Sequence, residues 1–145
     1  MDYTGIREVS LTQEELAQFY QGDFPILNLL ENQYVFLRDE NGKIVDKFFW
    51  RAGHLERVPF IIFSSDFVGK IKPRNPEQEC AFHLLHDQDI RVKLITGRFG
   101  SGKSMSMIAQ AVEALDKDIV DKIVYVRNNI AVRDTAELGA LPGLK

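Results

Sequence analysis

Residues 96–104 read Thr96-Gly97-Arg98-Phe99-Gly100-Ser101-Gly102-Lys103-Ser104. The run meets every defined position of the phosphate-binding pattern G-x-x-x-x-G-K-[ST]. Each requirement has a physical reason. Glycines let the backbone bend sharply and approach a polyphosphate with no Cβ in the way. Several N–H groups then converge on phosphate oxygens, helped by the positive end of the following helix. Lys103 reaches the β and γ phosphates as a compact charge, and the Ser104 hydroxyl is placed to ligate Mg²⁺. At ordinary residue frequencies a chain of this length would match about once in 200 by chance. The flanks make chance a poorer account still. Arg91–Ile95 is a short β-rich run, and Ser104–Leu115 is free of Gly and Pro and predicts a helix. Strand, loop and helix is the context the pattern needs. The expectation is a nucleotide site built from Gly97, Arg98, Phe99, Gly100, Ser101, Gly102, Lys103 and Ser104, with Lys103 the catalytic candidate.

The rest of the composition limits the partners. The chain has 145 residues, 45% hydrophobic and 27% charged, as expected of a globular protein rather than a disordered one. Its net charge of −3 gives no bulk signal for nucleic acid. Residues 1–72 carry 8 basic and 11 acidic side chains and the remainder 10 of each, so any nucleic-acid site has to be local. A single cysteine, Cys80, precludes an internal disulfide and fits a reducing cytoplasm. The first residues include Asp2 and Glu8 with no apolar run, which reads as no signal peptide. The apolar run Pro59–Phe63 is far short of a membrane span.

Taken in order, Tyr3, Ile6 and Val9 suggest a short first strand. Thr12 with Glu15 forms a capping box, with Leu11 stapled to Leu16, and predicts a helix to about Tyr20 that stops near Gly22. Leu16, Phe19 and Tyr20 form its apolar face. Asn41-Gly42 between Gln33–Arg38 and Lys43–Trp50 predicts a β-hairpin with a type I′ turn. Its aromatics (Tyr34, Phe36, Phe48, Phe49 and Trp50) suit a small core better than a base-stacking platform. A further strand is expected between Leu55 and Phe63, with Pro59 at an edge or bulge. Gly69, Pro73 and Pro76 mark a seam near Val68–Pro73, made locally basic by Lys70, Lys72 and Arg74. Asn75 as N-cap, Pro76 at N1 and Gln78 at N3 begin a second helix, with Ala81, Leu84 and Leu85 inward. Lys122–Arg127 predicts a strand that completes a β-α-β unit around the loop. Cys80, His83 and His86 do not converge as metal ligands at helical spacing.

Two segments beside the loop carry a family resemblance. Pro73-Arg74-Asn75-Pro76-Glu77-Gln78 resembles the adenine-reading segment of PhoH-like ATPases and related superfamily 1 helicases. The resemblance implies that Gln78 reads adenine, since an amide can donate to N7 and accept from N6 together. Val126-Arg127-Asn128 and Glu137-Leu138-Gly139-Ala140-Leu141-Pro142-Gly143 are similar to the family's T-R-P and L-G-F-L-P-G pieces. Asn128 replaces the usual Pro, and Ala140 the usual Phe. In related helicases that strand end touches the nucleic-acid backbone, which makes Arg127 the implied contact. Tyr3-Thr4-Gly5, Ile6-Arg7-Glu8-Val9 and Asn32–Gly42 resemble the segment that joins a PIN nuclease domain to the PhoH domain in PIN–PhoH fusion proteins. Such fusions couple ATP-driven RNA unwinding to endoribonuclease cleavage.

These readings predict an α/β protein. The N-terminal part of a RecA-like P-loop NTPase sheet (70–145) follows a small α+β linker domain with a β-hairpin (1–69). The expected ligands are ATP and Mg²⁺. Expected partners are single-stranded RNA, a PIN domain or the remainder of the PhoH domain, and a second copy in a homo-oligomer, with no membrane. None of Glu113, Asp116, Asp118, Asp121, Asp134 or Glu137 ends an apolar strand, so no Walker B carboxylate is evident. The chain therefore reads as truncated: a nucleotide cradle with incomplete hydrolysis machinery, inactive as an isolated ATPase. In RecA-like sheets other strands lie between the two that flank the loop helix, so these two are expected to sit in an incomplete sheet, pair differently or await a partner. The rival reading is a non-enzymatic RNA-binding or oligomerisation module built on the aromatic hairpin, its loop a relic.

Overall fold

The computed structural model describes residues 2–23 and 27–128. In chain order the elements are β1 (Ile6–Ser10), α1 (Gln13–Tyr20), β2 (Tyr34–Arg38), β3 (Ile44–Arg51), β4 (His54–Arg57), β5 (Phe63–Ser65), β6 (Gly69–Ile71), α2 (Pro76–His86) and α3 (Lys103–Asp116). The Glu137–Gly143 segment lies outside the described residues.

The front half is a four-stranded sheet in the order β1-β2-β3-β4. β1 pairs with β2 in parallel, Ile6 opposite Tyr34, so α1 is the crossover of a β-α-β unit. The capping box forms: Thr12 N–H donates to Glu15 Oε2 at 2.8 Å, and Glu15 N–H to Thr12 Oγ1 at 3.2 Å. Strand alternation then divides β2 between two cores. Val35 and Leu37 pack with Leu11, Phe19 and Phe48 on the α1 side. Tyr34 and Phe36 pack with Phe49, Val58 and Cys80 on the α2 side. Four of the five hairpin aromatics are therefore core, and Trp50 is half-buried. Tyr20, expected inward, is exposed, and its hydroxyl donates to Asp46 Oδ2 at 3.0 Å.

The hairpin lies where Asn41-Gly42 predicts it, but with a different turn. Gly42 takes a φ of +76°, whereas Asn41 is not in the left-handed region. Gly42 N–H donates to the Asp39 carbonyl, and Asp39 N–H to that of Lys43, each at 2.9 Å. The Asp39 carboxylate accepts from the N–H groups of Asn41 and Lys43. This is the three-residue loop with a glycine bulge. Asp39 drives it, because its side chain replaces the hydrogen bonds a two-residue turn would need. The two-residue turn occurs instead at Ala52-Gly53, between β3 and β4, where φ is +50° and +79°. Glu31 holds that turn through the Ala52 N–H, at 3.0 and 3.1 Å. β4 stops before Pro59, as an edge strand should.

Behind the sheet lies α2, and it is buried on two sides. Cys80 and Leu84 face the sheet, while Phe82 and Leu85 face Phe63 and Ala109. The β5–β6 hairpin and α3 form the last layer. Phe63 stacks on Phe82, with ring centroids 4.6 Å apart. Buried Glu113 of α3 accepts from Ser64 N–H at 3.1 Å and from Lys117 Nζ at 2.8 Å. The segment expected as a seam thus contains strand β6, and the hairpin to which β6 belongs packs on α3. A Lys47–Glu79 ion pair at 2.6 Å ties the sheet to α2.

The flanks of α3 depart from expectation. Neither Arg91–Ile95 nor Lys122–Arg127 forms a strand. In the first segment Ile95 packs against the Phe63–Phe82 cluster and Lys93 Nζ donates to the Leu85 and Asp87 carbonyls, but Val92 and Leu94 are 90% and 83% exposed. Residues 121–128 are exposed throughout. A strand exists only against a partner's edge, and among the described residues neither segment has one. The expected β-α-β unit around the loop is absent as a sheet; the one present among the described residues is β1-α1-β2.

Candidate functional site

The glycine-rich loop lies between the unpaired segment and α3, and opposite the first turn of α2. Its shape depends on left-handed glycines: Gly100 has φ +75° and Gly102, the N-cap of α3, has φ +82°. Only glycine adopts this region without strain. α1 and α2 are capped by the side chains of Thr12 and Asn75, but α3 begins with no side-chain cap. Its first N–H groups are therefore left for another acceptor.

Lys103 folds back into the loop. Its ammonium donates to the carbonyls of Gly97 at 2.7 Å and Arg98 at 2.6 Å, and reaches Ser101 Oγ at 3.4 Å. Ser106 is buried one turn further on, and its hydroxyl donates to the Gly102 carbonyl at 2.7 Å. Ser104 is exposed, as are Arg98 and Phe99.

Gln78 is brought to this loop from 23 residues upstream. Asn75 Oδ1 accepts from its backbone N–H at 2.8 Å, which sets the first turn of α2. The Gln78 side chain is bonded at both ends. Its Oε1 accepts from Arg74 N–H at 2.8 Å, and its Nε2 donates to the Ser101 carbonyl at 3.0 Å. Each end of the amide has a second N–H or lone pair for a ligand. The packing there is close: a Cβ on Gly102 would stand 3.2 Å from Gln78 Nε2, and one on Gly97 3.2 Å from Ser101 Oγ.

A groove of about 420 Å³ joins these parts. Asn75, Glu77, Gln78 and Ala81 line one wall, and Gly97, Arg98, Ser101 and Lys103 the other. Its size falls in the range of small-molecule sites. Glu77 is the acidic residue in its lining, and with Asn75, Ala81 and Ser106 it was missed from sequence. The signal for Glu77 was its place beside Gln78 in the first turn of α2. Arg127 lies in the exposed 121–128 segment and forms no hydrogen bond or ion pair among the described residues.

Two ionisable groups shape the far side of α2. Burial pushes the Cys80 thiol up to about 12. The Tyr34 hydroxyl and His83 Nδ1 are 2.7 Å apart, and burial lowers the His83 pKa despite the opposing charge of Asp87. Asp87 is paired with Arg51. No group of three potential metal ligands occurs among the described residues.

An α/β chain with a glycine loop opening onto an uncapped helix, and a groove beside it, has the layout of a P-loop nucleotide-binding protein. The chain belongs to the PhoH-like protein family, whose model matches residues 70–145, just over half of its length. That family is in general one of P-loop ATPases. The chain is similar to Protein PhoH2 of Bacillus subtilis (strain 168), at 27% identity over 156 residues that cover 99% of this chain and 34% of the relative. It thus spans about a third of that relative's length. No solved structure matches it. No helix among the described residues is long and apolar enough to cross a membrane.

Proposed function

We propose that the chain binds ATP in the groove between α2 and the Gly97–Ser104 loop. The observation that carries this reading is Lys103. Its ammonium sits inside the glycine loop on two carbonyls and a hydroxyl, at the mouth of a helix with no side-chain cap. A polyphosphate supplies better acceptors for both the cation and the uncapped N–H groups. The donor set suits an anion of that kind, and the glycines leave room for it. Gln78 lies against the same loop and offers adenine the second N–H and the second lone pair of its amide. The exposed Ser104 hydroxyl would hold Mg²⁺, which when bound neutralises phosphate charge and orients the γ phosphate.

Lys103 draws the β and γ phosphates toward the helix and stabilises charge that develops there, the part of catalysis this chain supplies itself. Hydrolysis also needs a carboxylate to position water. Glu77 lies in the α2 wall with Gln78, the adenine end of the proposed pose, so the isolated chain should turn over negligibly. Single-stranded RNA contacted by Arg127, and coupling to a PIN domain or to further PhoH sequence, belong to this same proposal and rest on family resemblance.

A thermal melt tests it. Mg-ATP at 100 times its dissociation constant should stabilise the chain by about 2.7 kcal/mol. Lys103→Ala should lose the shift, and Gln78→Ala should narrow the preference for Mg-ATP over Mg-GTP. No shift in the parent, or an equal shift in Lys103→Ala, would refute the reading.

A further inference from the structure

The first turn of α2 carries two carboxylates, Glu77 and Glu79, and they go separate ways. Glu79 turns to the sheet and pairs with Lys47 at 2.6 Å. Glu77 turns to the groove, where it lines the wall beside Gln78. It is exposed and forms no hydrogen bond or ion pair among the described residues. The helix places it four residues before Ala81, on the same face. Ala81 also lines the groove, and its single methyl takes up little of the space beside the carboxylate.

The two walls of the groove carry opposite charge. Arg98 and Lys103 supply cations on the loop side, and Glu77 supplies a carboxylate on the α2 side. A triphosphate is attracted to the Lys103 wall and repelled by Glu77, so the charge pattern alone sets which way a nucleotide lies. Its base end reaches Gln78, the next residue after Glu77, with consecutive Cα atoms about 3.8 Å apart. What joins base to phosphates is the sugar. An ionised carboxylate only accepts hydrogen bonds, and it has two oxygens to do so. A ribose offers the matching pair, two donor hydroxyls on adjacent carbons.

We infer that Glu77 reads the sugar, accepting from the 2′- and 3′-hydroxyls, and that it makes the chain select ribonucleotides over deoxyribonucleotides. The inference rests on the ATP reading above and carries it one step further, from the nucleotide to its sugar. Acidic side chains take the ribose hydroxyl in the same way in dinucleotide-binding folds. The other polar side chains of the α2 wall have work of their own. Asn75 Oδ1 accepts from Gln78 N–H, and the Gln78 amide is anchored at both ends. A Mg²⁺ ligand is the other use of a groove carboxylate, but the hydroxyl suited to that ion, Ser104, follows Lys103 in α3 on the loop side.

Isothermal titration calorimetry of the chain with Mg-ATP, Mg-2′-deoxy-ATP and Mg-3′-deoxy-ATP tests it. The parent should bind ATP about 10-fold more tightly than either deoxy analogue, the lower end for a hydrogen bond to a charged group, because the groove is open to solvent. Glu77→Ala should bind ATP and 2′-deoxy-ATP with equal affinity, both below the affinity of the parent for ATP. Glu79→Ala, which breaks the pair with Lys47, should lower the melting temperature and keep the parent's ratio. A Glu77 that served α2 only as a favourable charge at its N-terminus would change the melting temperature of the free chain and not the ratio. If none of the three nucleotides binds, the ATP reading itself fails and takes this inference with it. If all three bind the parent equally, or the ratio survives in Glu77→Ala, the sugar assignment alone is overturned.

Discussion

Gly102 is where the loop, α3 and α2 meet, so replacing it separates backbone strain from contact with Gln78. Gly100 and Gly102 have nearly the same φ, +75° and +82°. Alanine at either site should incur the left-handed penalty of about 1–2 kcal/mol. Any gain from stiffening the unfolded chain is the same at both and cancels. The surroundings differ. A Cβ at Gly100 meets nothing within 4 Å, whereas at Gly102 it stands 3.2 Å from Gln78 Nε2. Gln78 must then give way by a few tenths of an ångström, at the expense of its 3.0 Å bond to Ser101. Losing that bond costs about 1 kcal/mol. Gly102→Ala should therefore be about 1 kcal/mol worse than Gly100→Ala, roughly 3 °C in melting temperature for a chain of this size. Urea unfolding followed by Trp50 fluorescence measures it. In a Gln78→Ala background the gap should vanish, a coupling of about 1 kcal/mol in the double-mutant cycle. Equal costs in the parent, or a gap that persists without Gln78, would refute the reasoning.

Three further outcomes follow from the fold. Ala52 is a non-glycine residue at φ +50° in a two-residue turn; Ala52→Asn should raise stability by about 0.5–1 kcal/mol in urea unfolding, because asparagine tolerates that region. Burial holds the folded pKa of His83 below the ordinary imidazole value of about 6.5. The unfolded chain therefore binds the proton more readily, and stability should fall as pH drops below about 6.5 until the folded pKa is passed. His83→Gln should flatten that slope between about pH 7 and pH 5.5, and an unchanged slope would show that His83 is not its source. Cys80 is buried with its thiol pushed up to about 12, so a maleimide at about pH 8 should label it only in denaturant. Labelling of the native chain at the denatured rate would contradict the α2 packing.

The parts of this fold that were legible are those written within a few residues. Thr12 with Glu15, Asn75 with Gln78 and the glycine loop are local patterns, and each folds where the sequence sets it. The first hairpin was half legible. Asn41-Gly42 located it, but Asp39, one residue before Glu40, decided the turn by capping two N–H groups itself. The Ala52-Gly53 turn gave little signal, because alanine is a poor choice there and Glu31, far off in sequence, holds it. Pairing was the least legible. The parallel match of Ile6 with Tyr34 joins residues 28 apart, and α2 showed one apolar stripe where burial needs two. Arg91–Ile95 and Lys122–Arg127 have strand composition, but composition supplies no partner edge. At the site, the motif identified the loop. The two internal bonds that occupy Gln78, and the place of Glu77 in the groove wall, depend on how α2 lies across the loop and could not be read from spacing.

The central claim is that the Gly97–Ser104 loop with Lys103 holds the phosphates of ATP. Amide shifts in a ¹⁵N-labelled sample titrated with Mg-ATP test it most directly. The account predicts the largest changes at Gly100 to Ser104 and in the side-chain amide of Gln78, with saturation in the parent and none in Lys103→Ala. Changes confined to other surfaces, or the same loop shifts in Lys103→Ala, would contradict it.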